Sequence, residues 1–95
     1  MKVRLSHTAM DDLRSIARWI ARDRPNAAKR IAHNLRAACA ALGDNPRAYE
    51  AIDGGQYPEV RRRPLGRHLI FYRIEIDQVV VIRILDGAQD IDRLF

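Results

Sequence analysis

The stretch Arg61–Leu85, RRRPLGRHLIFYRIEIDQVVVIRIL, constrains this chain more than any other. It reads as a β-hairpin with arms Arg67–Glu75 and Gln78–Leu85, both rich in β-branched and aromatic residues, turning near Ile76-Asp77. Three arginines, Arg61, Arg62 and Arg63, precede it, and the arms carry Arg73 and Arg83. An apolar sheet studded with cations needs a second layer to cover it and acids to satisfy it. The rest of the chain offers the layer, and the expectation is that the acids come from another molecule.

The covering layer lies upstream. Lys2-Val3-Arg4-Leu5 alternates polar and apolar and reads as a short strand. Ser6 or Thr8 can cap the helix that follows, and Asp11 and Asp12 are expected in its first turns, where the macrodipole favours acids. Met10, Leu13, Ile16, Ala17 and Ile20 recur at helical spacing, so the helix runs to about Arg22. Arg18 lies on its polar face. Trp19 falls at the margin of the apolar stripe and reads as a core-edge aromatic or as a partner contact.

Pro25 suits the first position of a second helix, whose stripe is Ala28, Ile31, Leu35, Ala38, Cys39 and Leu42. Gly43 is expected to end it in a left-handed cap, with Pro46 preventing resumption. Lys29, Arg30, His33 and Arg36 cover its outer face, as charged residues do on any surface helix. Asp44 to Pro58, with Gly54-Gly55, is a long aperiodic loop, a length that points to function or mobility. Pro64 makes the strand Val60–Gly66 an edge strand or a broken one. Asp86-Gly87 closes the last strand, and Asp90–Phe95 is too short for more than one helical turn.

The order strand, helix, helix, three strands argues for an α+β fold: a helical hairpin packed on a mainly antiparallel C-terminal sheet, as one domain over residues 1–95. Strict alternation puts Ile70, Tyr72 and Ile74 on one face of their strand. In the next it sets Val80, Ile82 and Ile84 against Val79, Val81, Arg83 and Leu85.

Function classes narrow by what is missing. No apolar run is long enough to span a membrane, and no signal peptide is expected before the first strand. Cys39 is the only cysteine, so no intrachain disulfide forms, which fits the cytoplasm. His7, His33 and His68 stand apart with no metal-ligand spacing, and Gly54-Gly55 is no phosphate loop, so neither metal nor cofactor is expected. The net charge is +5, and every basic residue except Lys2 and Lys29 is arginine, the side chain that grips carboxylate or phosphate through two parallel bonds. This reads either as a surface for an anionic partner, nucleic acid or an acidic protein segment, or as an ordinary solvated surface rich in arginine. Cofactor-free RNA cleavage is the one chemistry left, with Arg67, Arg73, Arg83, His68 and Tyr72 as nominal participants. The proton donor such a site wants near the end of the last strand is not there: that region offers only acids, Gln89 and Phe95.

Several short motifs occur in order. Leu5-Ser6 leads into Ala9-x-x-Asp12-Leu13-x-x-Ile16, then come Pro25-x-Ala27-Ala28 and Asn45-Pro46. Leu65-Gly66-Arg67-His68-Leu69-Ile70-Phe71-Tyr72-Arg73 and Val80-Val81-x-x-Arg83-Ile84-Leu85 complete the series. In this the chain resembles the ParE branch of the RelE/ParE toxin superfamily of bacterial type II toxin–antitoxin modules. RelE-like members cut messenger RNA on the ribosome. By the same register Arg67 matches one of their phosphate-binding arginines, while Gln89 and Phe95 stand where they have a second arginine and a tyrosine. The resemblance therefore implies a non-enzymatic ParE-like toxin with no catalytic residue, one that binds DNA gyrase and is neutralised in a hetero-oligomer by a ParD-like antitoxin. Operator DNA would be reached only through that antitoxin. The chain departs from the ParE pattern at Asp86-Gly87-Ala88-Gln89-Asp90, where an acid and an amide replace two positive-capable side chains. A RelE-like nuclease and a degenerate, non-toxic relative stay open as alternatives. Antitoxin contacts are assigned to Arg18, Trp19 and Tyr72, and target contacts to Arg61, Arg62, Arg63, Arg67, Arg73 and Arg83.

Overall fold

A computed structural model describes residues 1–52 and 59–87. The elements run β1 (Lys2–Leu5), α1 (His7–Ala21), α2 (Pro25–Ala41), β2 (Val60–Leu65), β3 (His68–Ile74) and β4 (Gln78–Asp86). The four strands form one sheet in the order β1-β4-β3-β2, antiparallel except for the parallel β1–β4 pair. The two helices pack on each other, and α1 lies against β4. This is the α+β layer arrangement expected from the element order. The expected Gly54-Gly55 loop tip and the segment from Ala88 to Phe95, with Gln89, lie outside the described residues.

Ser6 sets the start of α1. Its hydroxyl accepts the Ala9 N–H at 3.0 Å and donates to the Ile82 carbonyl at 3.0 Å. The cap therefore also fixes the helix to the sheet. With the helix opening at His7, Asp11 and Asp12 fall beyond the first turn, so the macrodipole does not explain them. Pro25 opens α2, where its missing N–H is no loss.

Leu13, Leu35, Cys39 and Leu42 from the helices meet Ile70, Tyr72, Val79, Val81 and Ile84 from the sheet in the main core. A smaller cluster of Val60, Phe71 and Leu85 forms separately, with Leu69 and Ile82 against it. Strict alternation fails in β4. Phe71 pairs with Arg83 and Tyr72 with Val81, so Ile82 is a bulge residue without an opposite number. Beyond it the parity reverses. Ile84 joins Val79 and Val81 in the main core, and Leu85 goes to the smaller cluster.

Pro64 does not break its strand. The Arg62 N–H points away from β3, to the Glu50 carbonyl at 3.1 Å. Pro64, two residues on, would aim its N–H the same way, so the β2–β3 ladder loses nothing at this sheet edge. The first part of the long connection is anchored: Ile52 donates to the Val60 carbonyl at 2.8 Å, and Ala51 bridges Arg61.

Gly43 is not a left-handed cap, since Gly66 (φ 59°) is the only glycine with positive φ among the described residues. Its role is close approach. A Cβ on Gly43 would lie 2.0 Å from the Met1 carbonyl oxygen, and the Met1 amino group donates to the Gly43 carbonyl at 2.8 Å. Gly43→Ala should therefore cost about 1–3 kcal/mol by displacing the start of β1. Gly66→Ala, facing open space, should cost about 1–2 kcal/mol through its backbone angle alone. Urea unfolding of the two variants checks both values, and only the first should release β1 amides to fast hydrogen exchange.

Candidate functional site

The β1–β4 pairing ends at Leu5–Val81, leaving the outer edge of β4 open from Ile82 onward. Helix α1 closes it. The Asp12 carboxylate accepts the Ile84 backbone N–H at 2.9 Å and the Arg83 guanidinium at 2.8 and 3.1 Å. A side chain thus completes a strand edge that would otherwise hold an unsatisfied donor. The Asp12 and Arg83 side chains are only 14% and 27% exposed, and their bonding raises the pKa of Arg83 above its ordinary value.

Above this contact lies a cleft of about 490 Å³ between α1 and the β3–β4 ends. Ile16, Trp19 and Ile20 form its apolar wall, and Arg67, His68, Arg83 and Asp86 its polar one. Arg67 reaches Asp86 at 2.6 Å. His68, 7% exposed, pairs with Asp86 across the strands. Burial pushes the His68 pKa below its ordinary value; Asp86 opposes that shift and Arg67 adds to it. A second cleft of about 480 Å³ opens beyond Ile20, Arg67 and His68, lined by Ile31, Leu35 and Leu65.

Trp19 is 70% exposed, so the core-edge alternative fails. It stands on the rim between the first cleft and a shallower one lined by Arg18 and Arg22, with the Arg22 guanidinium carbon 5.2 Å from its ring centre. A large exposed aromatic beside an apolar cleft and two arginines is suited to bind a partner chain. Tyr72 does not belong to this surface. It is 0% exposed in the main core, and its hydroxyl donates to the Pro46 carbonyl at 2.7 Å. Alternation put it on the right face, but that face is covered by the helices.

The six arginines assigned as target contacts are dispersed, and four of them take their acids from this chain, contrary to the expectation that another molecule supplies them. Arg67 and Arg83 border the cleft and hold Asp86 and Asp12. Arg62 pairs with Glu50, and Arg73 pairs with Glu75 near the hairpin turn. Arg73 and Arg83 sit at different levels of the hairpin, opposite Val80 and Phe71. Arg61 donates to the Tyr49 carbonyl at 2.7 Å, and Arg63 donates to the Ala38 carbonyl at 2.8 Å under the Tyr49 ring. Arg61 and Arg63 thus secure the segment after α2. Asp12, Ser15 and Asp86 escaped assignment to the site. The available signal for Asp12 was an arginine among apolar strand residues, which needs an acid close by.

No group in the described residues is set up as a strong nucleophile. Burial pushes the Cys39 thiol up to about 11, with Arg63 and Arg36 acting weakly against it. No cluster of three or more metal-ligating side chains occurs among the described residues, and no helix among them is long and apolar enough to cross a membrane.

The sequence matches the family described as the ParE toxin of type II toxin–antitoxin systems, parDE, over residues 3–91. The chain belongs to the ParE toxin family. Solved structures share the fold. One is a chromosomal ParDE toxin–antitoxin system from P. aeruginosa, with a TM-score of 0.78 and 18% identity, covering 90% of this chain and 95% of that one. The RelBE2 toxin–antitoxin complex of Mycobacterium tuberculosis gives 0.69 and 20% with the same coverages. A conserved hypothetical protein of Helicobacter pylori gives 0.57 and 15%, covering 100% of this chain and 99% of that one. No curated protein matches the sequence. The family is the one the motifs Leu65–Arg73 and Val80–Leu85 pointed to.

Two predictions follow from the geometry of the cleft. Asp12→Ala should destabilise the fold by about 2–4 kcal/mol, because it orphans both Arg83 and the Ile84 N–H. Asp12→Asn should cost less, because it keeps one acceptor; denaturant midpoints measure both. The second prediction concerns pH. Because the folded-state pKa of His68 is depressed, the unfolded chain takes up a proton first as pH falls. The His68 contribution to stability should be complete above about pH 6.5 and decline below it until the folded-state pKa is reached. Unfolding free energies at pH 7.5, 6.5 and 5.5 should show this fall, and His68→Gln should remove that part of the slope.

Proposed function

We propose that this toxin acts by binding DNA gyrase in the cytoplasm, breaks no bond itself, and is held inactive by a cognate ParD-like antitoxin. The family match over residues 3–91 carries this reading. The cleft chemistry supports it. An RNA-cleaving site would aim guanidinium groups at a scissile phosphate. Here Arg83, the less exposed of the two cleft arginines, is bound to Asp12. Burial also favours neutral His68, so it is a poor proton donor.

Target contacts narrow to Arg62, Arg67 and Arg73. Arg67 and Arg73 are exposed and Arg62 is half-buried, and surface pairs such as Arg62–Glu50 cost little to exchange for a partner's acid. Arg61, Arg63 and Arg83 are committed to the fold and drop out of the proposed surface. The antitoxin is placed at Trp19 and Arg18. There an acidic, amphipathic segment would set apolar residues against Ile16, Trp19 and Ile20 and meet the cations on the rim.

One assay tests the set. The purified chain should inhibit supercoiling by gyrase and accumulate cleaved DNA, and its antitoxin should restore supercoiling. A Trp19→Ala, Arg18→Glu variant should still inhibit, and should need at least about tenfold more antitoxin for rescue. Unimpaired supercoiling, together with messenger RNA cut by the chain on ribosomes, would reverse the assignment in favour of a RelE-like activity. Rescue of the variant at the parent dose would remove the antitoxin from the Trp19 rim.

A further inference from the structure

Helix α2 differs from α1 in its charge. From Arg24 to Gly43 there is no acid, while Lys29, Arg30, His33 and Arg36 are all exposed. Lys29, His33 and Arg36, at i, i+4 and i+7, form one line along the helix, and Arg30 flanks it. The line is about 10 Å long. Arg61, Arg62, Arg63, Arg67, Arg73 and Arg83 each hold a carboxylate or a carbonyl. None of these four side chains has a hydrogen bond or an ion pair with the described residues. Like charges at this spacing repel, and those near the N-terminal half also oppose the helix dipole. Solvation explains why such a face is polar. It does not explain why the face carries a single sign.

We infer that the outer face of α2 binds the phosphodiester backbone of a nucleic-acid duplex, without reading its sequence. The choice between nucleic acid and an acidic protein rests on what surrounds the cations. A peptide needs apolar anchors, which this protein gathers on the other helix, around Trp19. Beyond Pro25 at its start, the exposed apolar residues on α2 are only alanines, Ala37, Ala40 and Ala41. A cation-only surface gains affinity by releasing counterions from a polyanion, and the densest such polyanion is a duplex. This inference does not depend on which target the toxin strikes.

The test uses the full chain without antitoxin, since an antitoxin can bring its own DNA contacts. Fluorescence anisotropy follows binding to a labelled 20-base-pair DNA duplex of random sequence across a sodium chloride series, with an RNA duplex of the same sequence as a second arm. Three phosphate contacts predict a log–log salt slope of about −3. Lys29→Glu, Arg30→Glu, Arg36→Glu should weaken binding more than tenfold and flatten the slope, with thermal melting near the parent's. The glutamine version of the same three sites should give a smaller loss. A charge-matched control, Arg4→Glu, Arg14→Glu, Arg47→Glu, should bind severalfold better than the α2 variant. Equal binding of the DNA and RNA duplexes assigns the site to the backbone itself, and a DNA preference names DNA as the source. Absence of binding by the parent at 50 mM salt overturns the inference. So does equal loss in the α2 variant and the control, or displacement of the duplex by polyglutamate at matched charge.

Discussion

The interaction on which the rest of this structure depends is the carboxylate of Asp12 on the open edge of β4. Parallel pairing by β1 stops at Leu5, four residues into the strand, while β4 continues for five residues more. An exposed edge of that length would offer unpaired N–H and C=O groups to any passing strand. Ser6 takes the Ile82 carbonyl and Asp12 takes the Ile84 N–H, so the first two turns of α1 finish what β1 leaves undone. The bulge at Ile82 makes this possible, since it re-aims the strand after the last β1 contact. Fixing α1 in this way also determines where Trp19 points, almost two turns beyond Asp12. The cleft is therefore a consequence of how a strand edge is closed.

The same economy governs the arginines. A strand arginine near a core is costly unless it is paired, and those of β2, β3 and β4 each find an acid or a carbonyl close in space. Arg83 turns to Asp12 on the helix, Arg67 to Asp86 on the adjoining strand, and Arg63 tucks against Tyr49 and the last turn of α2. The acid-poor run Arg61–Arg73 therefore does not project a basic field in proportion to its composition. The cations of α2, by contrast, have no such partners among the described residues.

How much of this was legible in the sequence depended on range. Local rules reached the elements: Ser6 and Pro25 marked helix starts, apolar spacing gave the stripes through Leu13 and Leu35, and alternation gave the hairpin. What failed was long-range. A bulge is one extra residue in a run such as Val79-Val80-Val81-Ile82, where every side chain is apolar and none announces the change of parity. Gly43 looked like a helix cap because its partner, the Met1 carbonyl, is 42 residues away in the chain. Tyr72 was placed on the correct face, but which layer covered that face depended on how the helices lay. The family was readable because its motifs lie in order along nearly the whole chain. The partition of the site was not, because charge counts along a chain do not reveal which charges cancel in space.

That partition separates two kinds of surface by their physics. The Trp19 rim offers apolar area with cations at its margin, so an occupant would be held mostly by burial and only modestly weakened by salt. The α2 face offers cations without apolar area, and an occupant there would be held by counterion release and lost steeply as salt rises. Because the two lie on different helices, neither chemistry compromises the other. A hydrophobic anchor among the α2 cations would weaken their selectivity for polyanions, and more cations around Trp19 would raise the cost of desolvating it. In a chain of 95 residues, keeping them on separate elements lets one small fold present both. Asp12 is the acid by which α1 binds its own sheet, whereas α2, which carries no acid, meets the sheet through Leu35 and Cys39 and through the Ala38 carbonyl.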